Sequence, residues 1–493
     1  MSKKTTQIGW IAGAGLGAAA AAALRRRWWG GPAGSAGGSP DRDRAATASG
    51  NRFLEHLAAA VQIPTVSHED RSLDDPVPFQ QFHDFLAEAY PLIHEHLERE
   101  TVAGRSALYT WAGSDPEAPP LLLMAHIDVV PVEPGTEADW PEEPFSGAVS
   151  GGYLWGRGAL DDKASLIGIF EAVESLLAGG FAPGPTVYLA LGHDEEVGGV
   201  EGAASIAGLL AERSIRIGLV LDEGGAVVTG VLPGVDEPAA FVGIGEKGFV
   251  NLELAVEASG GHSSMPPPST AVGRLAAAIS AVERHPMPAR LEKQRPLFDA
   301  LAPMLPLAMG LALRNADRLR PLVDRRLSAS PATNALIRTT AAVTMVEGGI
   351  KPNLLPQRAS AVANVRIMPG DTIDGVLEHV RSVVGEGVSV RVIESGFVSD
   401  PPPIADPGSS GFGLVADTVQ EVFSGMPVVP WIVTGATDSR HFVPVADTVL
   451  RFAPLTLNPD DLVRVHGTGE RIRVADADIA VEFYSRLIRN TAG

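Results

Sequence analysis

A buried strand with polar side chains at its end is indicated by the sequence Leu121-Leu122-Leu123-Met124-Ala125-His126-Ile127-Asp128. Residues 121–124 are apolar and uncharged, which is typical of a strand covered on both faces. His126 and Asp128 lie two positions apart, so an extended chain directs both side chains to one face. By itself, a His-x-Asp pair is more often a structural hydrogen bond than a metal site.

Two further apolar runs continue this pattern along the chain. Residues 187–191 and 217–221 are short and aliphatic, and segments with helical spacing at residues 164–177 and 203–211 separate them. Helical spacing also precedes the first strand, at residues 54–61 and 82–97. Strands that alternate with helices predict an α/β fold with a buried, mostly parallel sheet.

A second unit with a different pattern follows Gly245. Its predicted order is βαββαβ, an α+β arrangement with strands at residues 250–256, 335–345, 359–367 and 388–393 and helices at 271–282 and 373–384. Residues 287–330 add a helical insertion. We therefore predict an N-terminal apolar segment and linker at 1–50, a catalytic domain at 51–245 and 399–493, and an inserted lid or dimerisation domain at 246–398. Two domains suit 493 residues, since single cores stop growing near about 250 to 300 residues.

The composition is that of an acidic globular protein. Apolar residues make up 45% and charged residues 20% of the chain, which excludes a disordered protein. The formal net charge of -20 argues against nucleic acid as a partner, because phosphate binding needs clustered Lys and Arg. No cysteine occurs, so any metal must be held by His, Asp and Glu.

The first residues form a distinct segment. Two lysines precede an uncharged stretch rich in Ala and Gly at residues 8–24, and Arg25-Arg26-Arg27 follows it. This stretch is at the short limit for a membrane span, and Ala and Gly contribute little transfer energy. Three interpretations stay open: a membrane anchor, a cleaved export signal, or a flexible tail on a cytoplasmic protein.

Two more strand ends are acidic. The run Gly192-His193-Asp194-Glu195-Glu196 follows the second predicted strand, and Leu221-Asp222-Glu223-Gly224-Gly225 closes the third. Solvated loops would explain the charge equally well. However, ligands gather at the edge where the carboxyl ends of parallel strands meet. Neighbouring carboxylates there suit a division of labour in which one binds a cation and the other takes a proton from water.

A glycine-rich turn supplies two more aspartates. The sequence Gly156-Arg157-Gly158-Ala159-Leu160-Asp161-Asp162-Lys163 leads into a helix, and helix capping alone would explain it. Together with His126-Ile127-Asp128, Asp194-Glu195-Glu196 and Asp222, in this order and spacing, it resembles the aminoacylase and carboxypeptidase family of co-catalytic zinc hydrolases. Within that family the chain looks most like carboxypeptidase S and the N-acyl-aromatic-amino-acid amidases. The resemblance covers residues 51–493.

The resemblance implies a centre with two Zn²⁺ ions per subunit. Asp161 matches the aspartate that bridges the two ions. His126 and Asp222 would complete one zinc site. Glu196 and a histidine late in the chain would complete the other.

The late histidine is identified by a motif near the C-terminus, Arg464-Val465-His466-Gly467-Thr468-Gly469-Glu470. This motif favours His466 over His441, although the family often has Asn where Gly469 stands. By the same resemblance, Asp128 would orient His126, since a carboxylate on the second imidazole nitrogen fixes the tautomer. Glu195 would act first as base and then as acid.

The inserted unit carries three motifs that are similar to family motifs: Gly260-Gly261-His262-Ser263-Ser264, Lys351-Pro352-Asn353-Leu354-Leu355-Pro356 and Asn364-Val365-Arg366. They imply that His262 stabilises the oxyanion and that Asn353 lies near the reacting carbonyl. They also imply that Arg366 binds the substrate carboxylate, since two parallel N–H donors suit its two oxygens. Arg440 is a second candidate for this carboxylate.

The predicted reaction is hydrolysis of an amide bond beside a free carboxylate, in a small peptide or an N-acyl amino acid. A deacetylase or desuccinylase of amino-acid biosynthesis would share every metal residue. A metal-free binding protein and a structural membrane-tethered protein are further alternatives. Cobalt and manganese suit the same ligands as zinc. The resemblance also implies a homodimer through the inserted domain, which would bring His262 of each chain to the site of the other.

Overall fold

The computed structural model describes residues 47–230, 234–235, 237–394 and 397–491. The anchor, signal or tail predicted at residues 8–24 lies outside the described residues. In the described part of the chain, no helix has the length and apolar character needed to cross a membrane. Two main sheets organise the described chain.

The strands in chain order are β1 (Glu98–Val102), β2 (Ser106–Trp111), β3 (Leu121–His126), β4 (Val149–Ser150), β5 (Tyr153–Trp155), β6 (Val187–Gly192), β7 (Ile217–Asp222), β8 (Ala226–Val228), β9 (Ala239–Glu246), β10 (Gly248–Glu257), β11 (Gly261–His262), β12 (Thr340–Gly348), β13 (Leu354–Leu355), β14 (Arg358–Ile367), β15 (Ser389–Val392), β16 (Val428–Val433), β17 (Ala446–Arg451), β18 (Thr456–Leu457) and β19 (Arg471–Arg473).

The helices are α1 (Ala48–Val61), α2 (Pro76–Ala89), α3 (Pro91–His96), α4 (Lys163–Ala178), α5 (Ala203–Glu212), α6 (Ala271–Arg284), α7 (Arg295–Leu301), α8 (Leu307–Arg314), α9 (Arg320–Leu327), α10 (Pro331–Ile337), α11 (Ile373–Val384), α12 (Ser410–Val422), α13 (Pro459–Leu462) and α14 (Ala477–Asn490).

The large sheet has the order β1-β2-β6-β3-β7-β17-β9-β8-β18, with β16 pairing on β9. Its central strands β6, β3, β7 and β17 are parallel. Strand β3 is buried at every position because both faces are covered. Leu121 and Leu123 pack in the core that contains α1, α4 and α14, while Leu122 and Met124 pack in the core that contains α5. The predicted α/β fold with a mostly parallel sheet is confirmed.

The small sheet has the order β12-β14-β10-β15 and is antiparallel throughout. Helices α6 and α11 pack against it, so the chain order of its main elements is βαββαβ. Buried and partly exposed side chains alternate along most of β10, because one face of the strand contacts this core. Val250, Leu252 and Leu254 lie on that face. The edge strand β12 is exposed at most positions.

The chain crosses between the two sheets twice, at neighbouring points. Strand β9 ends at Glu246 and β10 begins at Gly248, with Lys247 buried between them. On the return, the backbone N–H of Phe249 donates to the Ser399 carbonyl at 2.8 Å, and the N–H of Ser399 donates to the Phe249 carbonyl at 2.9 Å. The two crossings are therefore hydrogen-bonded to each other.

Two sequence predictions of elements were wrong in their bounds. The helix predicted at 82–97 is divided into α2 and α3, because Pro91 has no N–H to continue a helix and instead starts a new one. The strand predicted at 335–345 begins only at Thr340. Helix α10 occupies the first part, since Pro331 fits a first helical turn and Ile337 closes the helix against a buried cluster.

The predicted helical insertion at 287–330 contains α7, α8 and α9. Phe298 and Leu301 of α7 pack in one buried cluster with Phe241 of β9 and Val429 of β16. The insertion is therefore fixed to the large sheet beside β9 and β16.

Candidate metal centre

Three parallel strands bring polar groups to one edge of the large sheet. Strand β3 ends at His126, β6 ends at Gly192 immediately before the acidic run, and β7 ends at Asp222. The edge is the one at which open parallel sheets bind ligands.

Asp161 lies between two histidines from distant parts of the chain. Its Oδ1 atom is 3.0 Å from Nε2 of His126, and its Oδ2 atom is 3.0 Å from Nε2 of His466. The same His466 nitrogen is 3.0 Å from Oε2 of Glu196. One carboxylate thus joins two groups of possible ligands, His126 with Glu223 and Glu196 with His466. Within each group, Asp161 included, the ligand atoms lie within 4.8 Å of one another.

Of the adjacent acids Asp222 and Glu223, Glu223 is the one grouped with His126 and Asp161. Glu223 Oε1 is 3.7 Å from Nε2 of His126. Asp222 is buried and its Oδ2 accepts a hydrogen bond of 2.8 Å from the Ser439 backbone N–H. Successive side chains at a strand end point in opposite directions, so only one of two adjacent acids faces the centre. The geometry favours Glu223 as ligand.

His466, not His441, lies beside Asp161 and Glu196. His441 donates through Nε2 to the Gly198 carbonyl at 3.1 Å, and burial lowers the pKa of the His441 ring to about 4. The backbone of His466 has a φ of 58°, a left-handed conformation that is uncommon outside glycine. This turn directs the ring toward the centre.

Asp128 connects the first strand end to the acidic run. Its backbone carbonyl is 3.0 Å from Nδ1 of His126 and its Oδ1 is 3.4 Å from that nitrogen. Its carboxylate also accepts from the backbone N–H groups of Glu195 at 3.1 Å and Glu196 at 3.2 Å, and from the Ser67 hydroxyl at 2.6 Å. Asp128 therefore orients His126 and the backbone of both glutamates together.

His193 and Asp194, which precede the two glutamates, hold the local backbone and neighbouring elements through hydrogen bonds. His193 shares a 2.7 Å hydrogen bond with the Ser106 hydroxyl. Asp194 accepts from the backbone N–H groups of Glu201 and Gly202 at 2.9 and 2.8 Å.

The turn that follows Glu196 is packed closely. A Cβ on Gly199, whose φ is +63°, would lie 1.7 Å from Oδ1 of Asp438, so only glycine fits.

The turn that carries Asp161 is held by Glu470. The Glu470 carboxylate is fully buried and accepts from the backbone N–H groups of Leu160 at 2.8 Å and Asp161 at 3.1 Å. It also pairs with Arg157 at 2.6 Å. Arg157 in turn donates to the His466 carbonyl at 3.1 Å. Glu470 thus fixes Asp161 and His466 relative to each other.

Burial and neighbouring charges shift the pKa values at the centre in opposite directions. Burial disfavours charge on His126, but Asp128 and Asp161 outweigh it and raise the pKa of the ring well above its usual value. Burial opposes ionisation of Asp161, yet hydrogen bonds from His126 and His466 lower its pKa. Burial raises the pKa of Glu195 well above the usual range, and the nearby charge of Asp438 adds to this.

The donor set fits divalent metal. Oxygen and imidazole nitrogen are the ligands available in a chain without cysteine, and both groups supply them. Oε1 of Glu196 and Nδ1 of His466 are buried without a hydrogen-bond partner in the described residues. A dication at such a place would favour the ionised carboxylates over the protonated forms.

The predicted residues of the small sheet do not contact this centre. His262 and Asn353 are exposed and lie on one ribbon, where the Ser263 N–H donates to the Asn353 carbonyl at 3.3 Å. Within the described ranges, no hydrogen bond or ion pair joins His262, Asn353 or Arg366 to the metal-ligand candidates. Their predicted roles stay predictions.

The two candidate arginines lie at opposite ends of a stack of rings. The Arg366 guanidinium is 4.6 Å from the Phe249 ring centre, and the Arg440 guanidinium is 3.9 Å from that of Phe397. The two phenyl rings are 5.7 Å apart and inclined by 21°. Arg440 also donates to the Gly198 carbonyl at 2.5 Å, beside the acidic run. The stack therefore connects the small sheet to the centre.

Sequence reasoning did not single out two residues that the structure places at the centre, Glu223 and Glu470. Glu223 stands next to Asp222, and no pattern in one sequence shows which of the two faces inward. Glu470 was noticed only as part of the late histidine motif. Its role depends on a contact across about 310 positions, which no local signal contains.

This fold and this centre define a metal-dependent hydrolase of amide bonds. Comparison with known proteins agrees. The model of peptidase family M20/M25/M40 matches residues 122–490. Over 446 residues the chain is 38% identical to the N-fatty-acyl-amino acid synthase/hydrolase PM20D1 of Xenopus tropicalis, covering 89% of this chain and 86% of that protein.

A fungal relative and a solved structure extend the comparison. The chain is 32% identical over 490 residues to carboxypeptidase S of Saccharomyces cerevisiae, covering 89% and 84% of the two chains. The M20 family metallo-carboxypeptidase Sso-CP2 from Sulfolobus solfataricus has the same fold, with a TM-score of 0.64, 17% identity, and coverage of 89% of this chain and 99% of that one. The chain belongs to peptidase family M20/M25/M40, and the predicted resemblance is confirmed.

Proposed function

We propose that this protein is a two-zinc hydrolase that cleaves the amide bond of N-acyl amino acids or small peptides with a free carboxylate. The observation that carries the proposal is the position of Asp161. Each of its two oxygens is 3.0 Å from a different histidine, so one carboxylate can hold two cations side by side.

His126, Asp161 and Glu223 would hold one zinc ion, and Asp161, Glu196 and His466 the other. Bound zinc would polarise the scissile carbonyl and lower the pKa of the attacking water. Asp222, the ligand that the sequence suggested, is the alternative: it is buried at the end of β7, and its Oδ2 accepts from the Ser439 N–H.

Glu195 is the proposed acid and base. Its backbone is held by Asp128, which fixes its place next to Glu196 and His126. In this role Glu195 takes a proton from the attacking water and passes it to the leaving nitrogen. His262 is the proposed donor to the oxyanion, and Asn353 the proposed contact of the carbonyl. Both require the small sheet, or that of a second copy, to approach the centre.

Arg366 is the better candidate for the substrate carboxylate. Within the described residues it makes no ion pair, and burial lowers its pKa. Arg440, by contrast, already donates to the carbonyls of Thr437 and Gly198. An unpaired guanidinium gains more from a carboxylate than one whose donors are used.

The acyl group has a candidate position beside Arg440. A cavity of about 420 Å³ there is lined by Val200, Phe397, Pro402, Pro403 and Val443, among others. Val200 of this lining follows Glu196 by four residues, and the apolar part of the lining suits a hydrocarbon chain better than a charged amino terminus. This cavity supports N-acyl amino acids over peptides.

We also propose a homodimer through the small sheet. Its edge strand β12 is exposed along most of its length, and unpaired edges are templates for a second strand. Size-exclusion chromatography with light scattering would give twice the mass of the chain if this is right. A single-chain mass at all concentrations would contradict it.

A hydrolysis screen tests the reaction and the substrate class together. We expect the protein with zinc to hydrolyse N-acyl-phenylalanines and dipeptides, to lose activity with a chelator, and to regain it with zinc. The same compounds with an amidated carboxyl group should react far more slowly. Arg366→Gln should abolish this difference, whereas Arg440→Gln should keep it.

Other results would overturn the proposal. Faster turnover of acetyl-ornithine than of any N-acyl-phenylalanine would point to a biosynthetic deacetylase. Full activity without metal would exclude the mechanism. Elemental analysis showing no zinc, cobalt or manganese in the purified protein would favour a binding protein.

A further inference from the structure

The helical insertion presents an exposed apolar surface. Six apolar residues within residues 307–322 are exposed, and we call them the apolar patch: Leu307, Ala308, Met309, Leu311, Leu319 and Leu322. The exposed fractions of Leu307, Leu322 and Leu311 are 78%, 60% and 49%. Single exposed leucines are ordinary on protein surfaces, but a patch of them marks a site of interaction.

The apolar patch is separate from the core beneath it. Ala316 and Val323 are buried in one cluster with Phe298 of α7. Gly310 of α8 lies so close to the preceding segment that a Cβ there would be 2.3 Å from the Ala302 carbonyl oxygen. The inner sides of α8 and α9 are thus already packed, and the leucines point away from the cluster.

The acidic groups around the apolar patch are already paired. Residues 305–330 contain five arginines and two aspartates, a local surplus of three positive charges in a chain of formal charge -20. Asp317 pairs with Arg295 at 3.5 Å, and Asp324 pairs with Arg338. Arg320 of α9 pairs in turn with Glu292 at 3.3 Å, so it is not counted among the arginines available to a ligand.

Arginines extend the same exposed sides. Leu307, Leu311 and Arg314 follow one another at helical spacing along α8, and Leu322 and Arg325 do so along α9. Arg314 and Arg325 are exposed and make no ion pair within the described residues. Each of the two helices therefore has an exposed side that is apolar and cationic together.

The positive charge favours an anionic bilayer over a second copy of the chain as the partner of this surface. In a two-fold contact each copy of the chain would bring the same surplus of positive charge to the interface, which opposes association. A bilayer with anionic phospholipids offers hydrocarbon to the leucines and phosphates to the arginines. Basic amphipathic helices bind such interfaces by both contributions.

We propose that α8 and α9 dock on the surface of an anionic phospholipid bilayer, with the apolar patch at the acyl boundary and the arginines on the phosphates. The rest of the acidic protein is repelled by such a surface, so the contact sets one orientation. The docking is independent of the hydrolytic reaction and of residues 8–24.

A fluorescent probe tests this contact locally. The chain has no cysteine, so Ala308→Cys introduces one labelling site for an environment-sensitive dye. Ala87→Cys is the matched control, an exposed helical alanine in α2. We expect vesicles of equal parts phosphatidylcholine and phosphatidylglycerol to shift the Ala308→Cys emission to the blue, and high salt to reverse the shift. Phosphatidylcholine vesicles should give a smaller shift, and the Ala87→Cys label none.

Two further variants and one control complete the test. Leu311→Gln with Leu322→Gln should remove most of the shift, and so should Arg314→Gln with Arg325→Gln. Val77→Gln, which changes an exposed apolar residue elsewhere, should leave it intact. Equal shifts at both labels, no shift at Ala308→Cys, or a shift that grows with protein concentration without vesicles would overturn the proposal. The last result would assign the surface to a second copy.

Discussion

Glu195 and Glu196 are neighbours, but only Glu196 has a carboxylate oxygen 3.0 Å from His466. The backbone of both is fixed by Asp128, so the two side chains diverge from one anchored point. Such an arrangement separates proton transfer from metal binding at adjacent positions.

Replacing the proposed base should therefore separate activity from metal content. We expect Glu195→Gln to keep two zinc ions and to lose about 100- to 10,000-fold in kcat, the usual contribution of a general base. Asp161→Ala should lose metal, because it removes the carboxylate shared by both groups. Elemental analysis measures the metal content and steady-state kinetics measures kcat on the same samples. Wild-type kcat in Glu195→Gln would falsify the base assignment.

The adjacent acids Asp222 and Glu223 give a second prediction. Glu223→Gln should lose one zinc equivalent. Asp222→Asn should keep both zinc ions but lose about 1 to 3 kcal/mol of unfolding free energy, because its charged hydrogen bond to the Ser439 N–H is weakened. Metal content and urea unfolding measure the two effects. The reverse pattern, with metal lost from Asp222→Asn alone, would restore the ligand expected from the sequence.

This pair also shows where sequence reasoning stops at the residue scale. The order of His126, Asp161, Glu196 and His466 predicted residues that the structure places together. The choice between Asp222 and Glu223 depends on where β7 ends. A shift of one residue in that end would turn the other of the two side chains toward the centre. The sequence does not define the last residue of β7 precisely enough to decide between them.

At the scale of elements, the turn before α4 depends on a buried ion pair. Glu470 and Arg157 are almost completely buried and paired at 2.6 Å. We expect Glu470→Ala to cost about 3 to 5 kcal/mol, because it leaves Arg157 buried without its partner. Zinc affinity should fall as well, since Glu470 holds the backbone of Asp161.

The matched control is the exposed pair of Arg213 and Glu100. Arg213→Ala should cost about 1 kcal/mol or less, as exposed pairs do. Thermal unfolding with and without added zinc compares the two variants. Equal losses would mean that the Glu470 pair contributes no more than a surface contact.

The elements themselves were largely predictable. Helix α11 was expected at residues 373–384, where it is found, because its apolar residues recur at helical spacing. The errors occurred where a local residue outweighed the pattern, as Pro91 does between α2 and α3. Contacts between elements, such as the pairing of Phe249 with Ser399, were beyond reach because they join parts that are distant in sequence.

At the scale of the whole molecule, Lys247 lies buried where the chain passes between the two sheets. Burial, and then the charge of Arg366, lowers the pKa of Lys247 to about 7. Between pH 7 and about 10 the unfolded chain holds this proton and the folded protein does not. Unfolding then takes up a proton, so the free energy of unfolding rises with pH in this window, and the cost of burying a charged Lys247 is fully present below it.

We expect the free energy of unfolding of the wild type to rise with pH more steeply than that of Lys247→Met. The difference in slope should approach about 1.4 kcal/mol per pH unit between pH 8 and 9.5, one proton's worth. Urea unfolding at several pH values measures both slopes. Parallel curves would show that Lys247 is charged in the folded protein.

The hydrogen-bonded crossing at Phe249 and Ser399 has a consequence for how gene segments of this protein recombine. Everything between these two residues begins and ends at one point in space. A genetic exchange at these two codons would replace the unit that carries Arg366 together with α7, so the new segment would have to keep the packing of Phe298 and Leu301 against β9 and β16. If Arg366 binds the substrate as proposed, an exchange that keeps this packing would change the choice of substrate and leave the metal-ligand candidates on the large sheet in place.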